Sequence, residues 1–322
     1  MTQTLVSFSL LAVYSAMAIY TIAFIMFTLD LARRSAPAPV RLADSRSESA
    51  ATSGGSTKLL DRLVTDPPAT SRPKGPRYLR VAMALTVIAW VLHVGAAILR
   101  GVAAGRVPWA NMFEFSLTAT AIIVGVFLAI QFWQDLRFLG AFITGFSLLA
   151  LGIGTVNFYV DVVPLPPALQ SAWLVIHVFV AVLGTSFFAL GAGISIVQLL
   201  QARRAAGKAV RLRFLDTLPD AEKLENFAYR VILVGFMFWT FTLIAGAIWA
   251  DRAWGRYWGW DTKEVWTFII WTIFAGYIHA RATRGWRGSR SAVLAIIGFG
   301  AVIFNFTIVN LFFKGLHAYS GL

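Results

Sequence analysis

The 322-residue sequence contains no cysteine, so the chain forms no disulfide and offers no thiolate as nucleophile, redox centre or metal ligand. Without cysteine there is also no C-x-x-C-H, which excludes a c-type haem carrier, and any thiol chemistry has to come from a partner. Charge is scarce as well. Only 13% of the residues are Asp, Glu, Lys or Arg, against about 25% in an ordinary soluble domain, and 58% are hydrophobic. This is the composition of an integral membrane protein. Histidine is limited to four positions, His93, His177, His279 and His317, so each can be placed individually.

Eight apolar segments stand out, at 5–29, 79–99, 112–133, 138–157, 172–198, 227–250, 265–280 and 291–313. They predict an all-α polytopic membrane protein with about eight transmembrane helices. The first segment is not a signal peptide: Met1 to Thr4 carries no basic residue, and the run is too long and ends in Arg33 and Arg34. It is read as a retained helix with the N-terminus outside. The inner segments 30–78, 134–137, 199–226 and 281–290 then hold 20 of the 28 Lys and Arg. The outer ones hold Arg100, Arg106, Arg252, Arg256, Lys263 and Lys314. Basic residues collect on the cytoplasmic side, so topology accounts for the net charge of +13 without nucleic acid, and both termini are expected on the outer side.

Three regions follow: an N-terminal transmembrane helix at 1–29, a linker at 30–78, and a seven-helix domain at 79–322 that includes an external loop at 251–266. Between Ser35 and Pro76 the chain is rich in Ser, Ala, Pro and Arg and poor in large apolar side chains. It cannot bury enough surface to offset chain entropy and is expected to be a disordered cytoplasmic linker. The polar stretch 199–226 is expected to hold a short surface helix around Pro219 to Leu224.

Residues 254–271 read WGRYWGWDTKEVWTFIIW. Five tryptophans (Trp254, Trp258, Trp260, Trp266 and Trp271) are interleaved there with Gly255 and Gly259 and with Asp261, Lys263 and Glu264. A lone Trp at a membrane face is usually part of an aromatic belt. Several in one loop, followed by a fixed acid, suit the grip of a large flat ligand. His177, a turn or two inside the fifth segment, and His317, directly after the eighth, fall at about the level of this loop. A histidine near a helix end is commonly just an interfacial polar group. Two neutral imidazoles from different helices, however, can hold haem iron from both faces. His279, at the inner end of the seventh segment, is either a ligand on the cytoplasmic side or the start of a basic cap. His93 lies at a different depth and reads as a hydrogen-bonded core residue.

The run Trp254-Gly255-x-x-Trp258-Gly259-Trp260-Asp261-x-x-Glu264-x-Trp266, with Trp271 and His279 beyond it, resembles the tryptophan-rich signature of haem-handling proteins in cytochrome c maturation. The chain is similar to the CcsA (ResC) family of the System II cytochrome c synthase from about residue 79 onward, including Arg100, Pro108, Asn111 and Glu114 in RGVAAGRVPWANMFEF. The resemblance implies that b-type haem, bound transiently as a substrate, is presented at the outer face of the plasma membrane for covalent attachment to an apocytochrome C-x-x-C-H. It implies His177 and His317 as axial ligands, Trp254, Trp258, Trp260, Asp261 and Trp266 as haem-binding residues, and His279 as a ligand where haem comes in from the cytoplasm. A separate CcsB/ResB-type subunit is the implied partner, with thiol-reducing proteins as further candidates. Asp261, Lys263 and Glu264 are left between pairing with haem propionates, pairing with backbone groups, and capping the seventh helix. Two rival readings are a quinol-linked membrane cytochrome, which would pair histidines at matching depth, and a transporter of haem or a small solute, with its polar sites near the midplane.

Overall fold

The computed structural model describes residues 2–35, 77–165, 170–209, 211–283, 285–313 and 315–317; the expected linker lies outside them apart from its two ends. The helices are α1 (Thr2–Ser35), α2 (Arg77–Ala104), α3 (Met112–Ile130), α4 (Gly140–Asn157), α5 (Ala172–Ala205), α6 (Ala221–Trp254), α7 (Thr262–Thr283) and α8 (Ser289–Phe304). A five-residue π-helical stretch, Asn305–Val309, joins α8 to the short α9 (Asn310–Phe312). Among the described residues no strand occurs.

Seven of these helices are long and apolar enough to cross a membrane: α1 to α6, with α4 extended by a 3₁₀ turn at Arg137–Leu139, and the continuous run Ser289–Phe312. The eighth, α7, has 22 residues and hence a length of about 33 Å. Its Thr, Trp, Tyr and His side chains dilute the aliphatic content, and it lies against α6 and α8. The short helix expected around 219–224 is displaced. A 3₁₀ turn occupies Arg213–Thr217, and residues 221–224 open α6 itself, because the Asp220 side chain accepts the Lys223 N–H at 2.8 Å and so caps that helix.

Hydrogen bonds between loops define the two ends of the bundle. At one end Arg106 of the α2–α3 loop donates to the Val163 carbonyl of the α4–α5 loop, and the Leu316 N–H, beyond α9, donates to Asp261 of the α6–α7 loop at 2.6 Å. At the other end the Ser35 hydroxyl accepts the Phe214 N–H, and Glu225 at the start of α6 accepts the Gly288 N–H and the Ser291 hydroxyl of α8. The N-terminal helix belongs to the same bundle: the Ser9 hydroxyl donates to Ala96 O at 2.8 Å, and Tyr20 lies in the core with its hydroxyl 3.4 Å from His93 Nδ1.

Two apolar cores fill the bundle. One joins α1 to α4 through residues such as Tyr20, Phe113 and Phe127; the other joins α5 to α8 through Phe188, Trp239 and Phe274. Phe146 of α4 packs against both. Helices in lipid gain little from burying apolar surface against each other, so close contact depends on small residues. Gly184, Gly191 and Gly235 supply it between α5 and α6, where a Cβ at Gly191 would collide with Ile232.

Candidate functional site

The α6–α7 loop comprises residues 255–261, shorter than the stretch 251–266 that the sequence suggests. Gly255 ends α6 in the left-handed conformation at φ 70°, and its N–H donates to Asp251 O at 2.8 Å. Asp261 and Glu264 then start α7 reciprocally. Asp261 Oδ1 accepts the Lys263 N–H at 2.8 Å, while Glu264 Oε2 reaches back to the N–H groups of Asp261 (3.0 Å) and Gly259 (2.8 Å). This is a capping box built on D-x-x-E.

Next to this loop, between α3, α4, α5, α6 and α8, lies a mostly apolar cavity of about 560 Å³. Its polar and aromatic lining includes His177, Trp249, Trp258, Lys263, Asn310 and His317. The volume falls within the roughly 300–1,000 Å³ of small-molecule and cofactor sites. His177 and His317, 140 positions apart in sequence, therefore line the same space.

The two rings have different surroundings. His177 Nδ1 is 3.0 Å from Thr242 O. A carbonyl only accepts, so Nδ1 carries the proton and Nε2 keeps its lone pair. His317 Nδ1 is buried, makes no hydrogen bond among the described residues, and stands 3.6 Å from Asp261 Oδ1. A carbonyl or carboxylate behind the far nitrogen is the usual support of a metal-binding histidine. The His317 imidazole is the main influence that holds the Asp261 carboxyl well below the usual carboxylate range; partial burial opposes it, and the Lys263 and Leu316 N–H groups assist.

Both imidazoles also contact one indole. His177 stacks on Trp249 at 5.8 Å between centroids, and His317 meets the same ring edge-on at 5.4 Å. Trp249 is buried in α6, outside the tryptophan signature, and sequence reasoning passed over it. The available signal was its position five residues before Trp254, which touches both Trp249 (4.8 Å) and His317 (4.9 Å).

The tryptophans of the signature separate into different environments. Trp258 lines the cavity and meets Trp260 edge-on at 5.9 Å, whereas Trp260 is 78% exposed and stands at φ 60°. Trp266 packs on Phe304 at 4.4 Å, and Trp271 donates from Nε1 to the Thr240 hydroxyl, further along α7. His279 is exposed near the far end of α7, away from the cavity. His93 is fully buried with Nε2 2.8 Å from Leu117 O and Nδ1 beside the Tyr20 hydroxyl.

Such a bundle, with an aromatic cavity and two imidazoles at one end, defines a multi-pass membrane protein. Residues 79–317 match the family described as cytochrome C assembly protein, and the chain belongs to that family. It is similar to the cytochrome c biogenesis protein CcsA of Trieres chinensis, 32% identical over 255 residues that cover 69% of this chain and 81% of the relative. It is also similar to CcsA of Synechococcus elongatus, 34% identical over 286 residues that cover 74% and 85%. Among solved structures it resembles the cytochrome c heme lyase CcmF with a TM-score of 0.63 at 15% identity, which establishes a shared fold. The match covers 98% of this chain but about half, 48%, of that one.

Proposed function

We propose that this chain holds haem as a substrate at the loop end of the bundle and presents it for covalent attachment to an apocytochrome c, in concert with a CcsB/ResB-type membrane subunit. The observation that supports this most is the pair of imidazoles on one aromatic-lined cavity, His177 hydrogen-bonded through Nδ1 to Thr242 O and His317 beside the Asp261 carboxylate. His177 and His317 would ligate the iron, and Trp254, Trp258 and Asp261 would support the ring and the second ligand. Trp260 and Trp266 stand off the cavity and are assigned to its rim and to the seat of the loop. The two thiols belong to the substrate C-x-x-C-H, in keeping with a chain that has no cysteine. What this chain contributes is orientation, since holding thiol and vinyl group together makes the step effectively unimolecular. On this reading the loop end faces outward across the plasma membrane. His279 is exposed on the bundle surface, where a partner would supply the second ligand as haem comes in from the cytoplasm.

The membrane-cytochrome alternative requires histidines paired across the bundle, yet His93 is engaged at both ring nitrogens and His279 is exposed. The test is an absorbance spectrum of the solubilised complex together with a covalent-haem stain of a co-expressed apocytochrome. His177→Ala and His317→Ala are expected to alter the haem spectrum and cut holocytochrome c at least tenfold while the protein still accumulates in the membrane. Normal holocytochrome levels in both variants would refute the assignment.

A further inference from the structure

Lys263 lines the cavity and makes no ion pair among the described residues. Its Nζ donates to the side-chain carbonyl of Asn310 and lies 3.5 Å from Asn305 O, both neutral acceptors. The two nearest acids in sequence have other work: Asp261 is taken up by the His317 contact and by two N–H groups, and Glu264 by the capping box. A charged group inside a membrane bundle is costly and is normally paired or functional.

The scaffold around it is unusual as well. The main-chain carbonyl of Asn305, at the start of the π-helical stretch Asn305–Val309, and the side chain of Asn310, just past its end, both face Lys263 Nζ, and Asn305 Oδ1 remains buried without a hydrogen bond. Such local π-helical turns recur at functional sites. The Lys263 amine therefore lines an apolar cavity, held in place by two neutral acceptors.

We infer that Lys263, steadied by Asn305 and Asn310, is an anion subsite that receives a carboxylate of the cavity's ligand; resting on the function proposed above, that carboxylate is a propionate of haem. Lys263 would then fix which edge of the macrocycle sits deep and so which edge carries its vinyl groups toward the incoming thiols.

The experiment compares the affinity of the solubilised full-length protein for haem and for haem dimethyl ester, whose propionates carry no charge. Wild-type protein is expected to bind haem at least tenfold more tightly than the ester, and Lys263→Met to bring the two affinities together chiefly by weakening haem. Lys263→Arg should retain part of the preference. Should Lys263→Met fail to accumulate, Lys263→Gln serves the same purpose. Equal affinities in the wild-type protein, or a preference that survives in the neutral variant, would overturn the inference. The His177 and His317 variants separate this from the broader reading. If they abolish the haem spectrum while the acid and the ester remain indistinguishable, haem handling stands and the anion subsite does not.

Discussion

At the residue scale the site depends on space as much as on chemistry. Gly246 of α6 faces the His177 ring so closely that a Cβ there would come within 2.7 Å of Cε1. Gly246→Ala is expected to push the imbalance onto the imidazole and lower haem occupancy several-fold, as read from the absorbance spectrum of the purified protein. Gly276 in α7 has open space around it, so Gly276→Ala should leave the spectrum unchanged and stabilise the helix by about 0.5–1 kcal/mol. That His177 and His317 meet at one end of the bundle was legible in the sequence because few histidines exist and because the hydrophobic runs fix their depth. Trp249 was not legible, since a tryptophan inside an apolar run looks like ordinary core until its neighbours across the bundle are known.

At the element scale the caps decide where helices begin and end. The capping box at Asp261 and Glu264 could be read from D-x-x-E. The start of α6 was missed, because the polar residues before it masked a helix that runs continuously from the bundle surface into the apolar core. Asp220→Ala removes the cap of that helix and should cost about 1 kcal/mol, checked by thermal unfolding in detergent. Trp260 is the one non-glycine residue at positive φ among the described residues, a conformation that costs an L-amino acid roughly 1–2 kcal/mol. Strain of this kind persists where a side chain is needed in a particular direction. Trp260→Gly is accordingly expected to leave thermal stability equal or higher while it lowers holocytochrome c formation. Unchanged maturation in that variant would make the exposed indole a membrane-surface anchor only.

At the scale of the whole molecule, the two ends of the bundle do different work. The end opposite the cavity is held together by Glu225, which accepts from Gly288, the N-cap of α8, and from Ser291 in its first turn, and stands 3.8 Å from Arg281. Glu225→Ala removes the acceptor of the Gly288 N–H and one of two acceptors of the Ser291 hydroxyl, and should destabilise the protein by about 1–2 kcal/mol. The expected signature is a lower midpoint of thermal unfolding, with a haem spectrum of unchanged shape in whatever protein remains folded. The long helices and their order followed from the apolar runs of the sequence, because lipid demands such runs, although α7 falls short of the hydropathy that marks the other seven. The packing of α1 onto α2 and α4 did not, because the contacts that make it, Ser9 on Ala96 and Tyr20 beside His93, span more than seventy residues of chain.

His317 reaches the cavity only after the chain has passed through α8, the π-helical stretch and α9, whereas His177 arrives with α5. During synthesis, then, the ribosome delivers every helix of the bundle before the second imidazole appears. On the function proposed above, a nascent chain would offer iron only one of the two nitrogens, and secure capture of a porphyrin would wait for the completion of the scaffold that shields it.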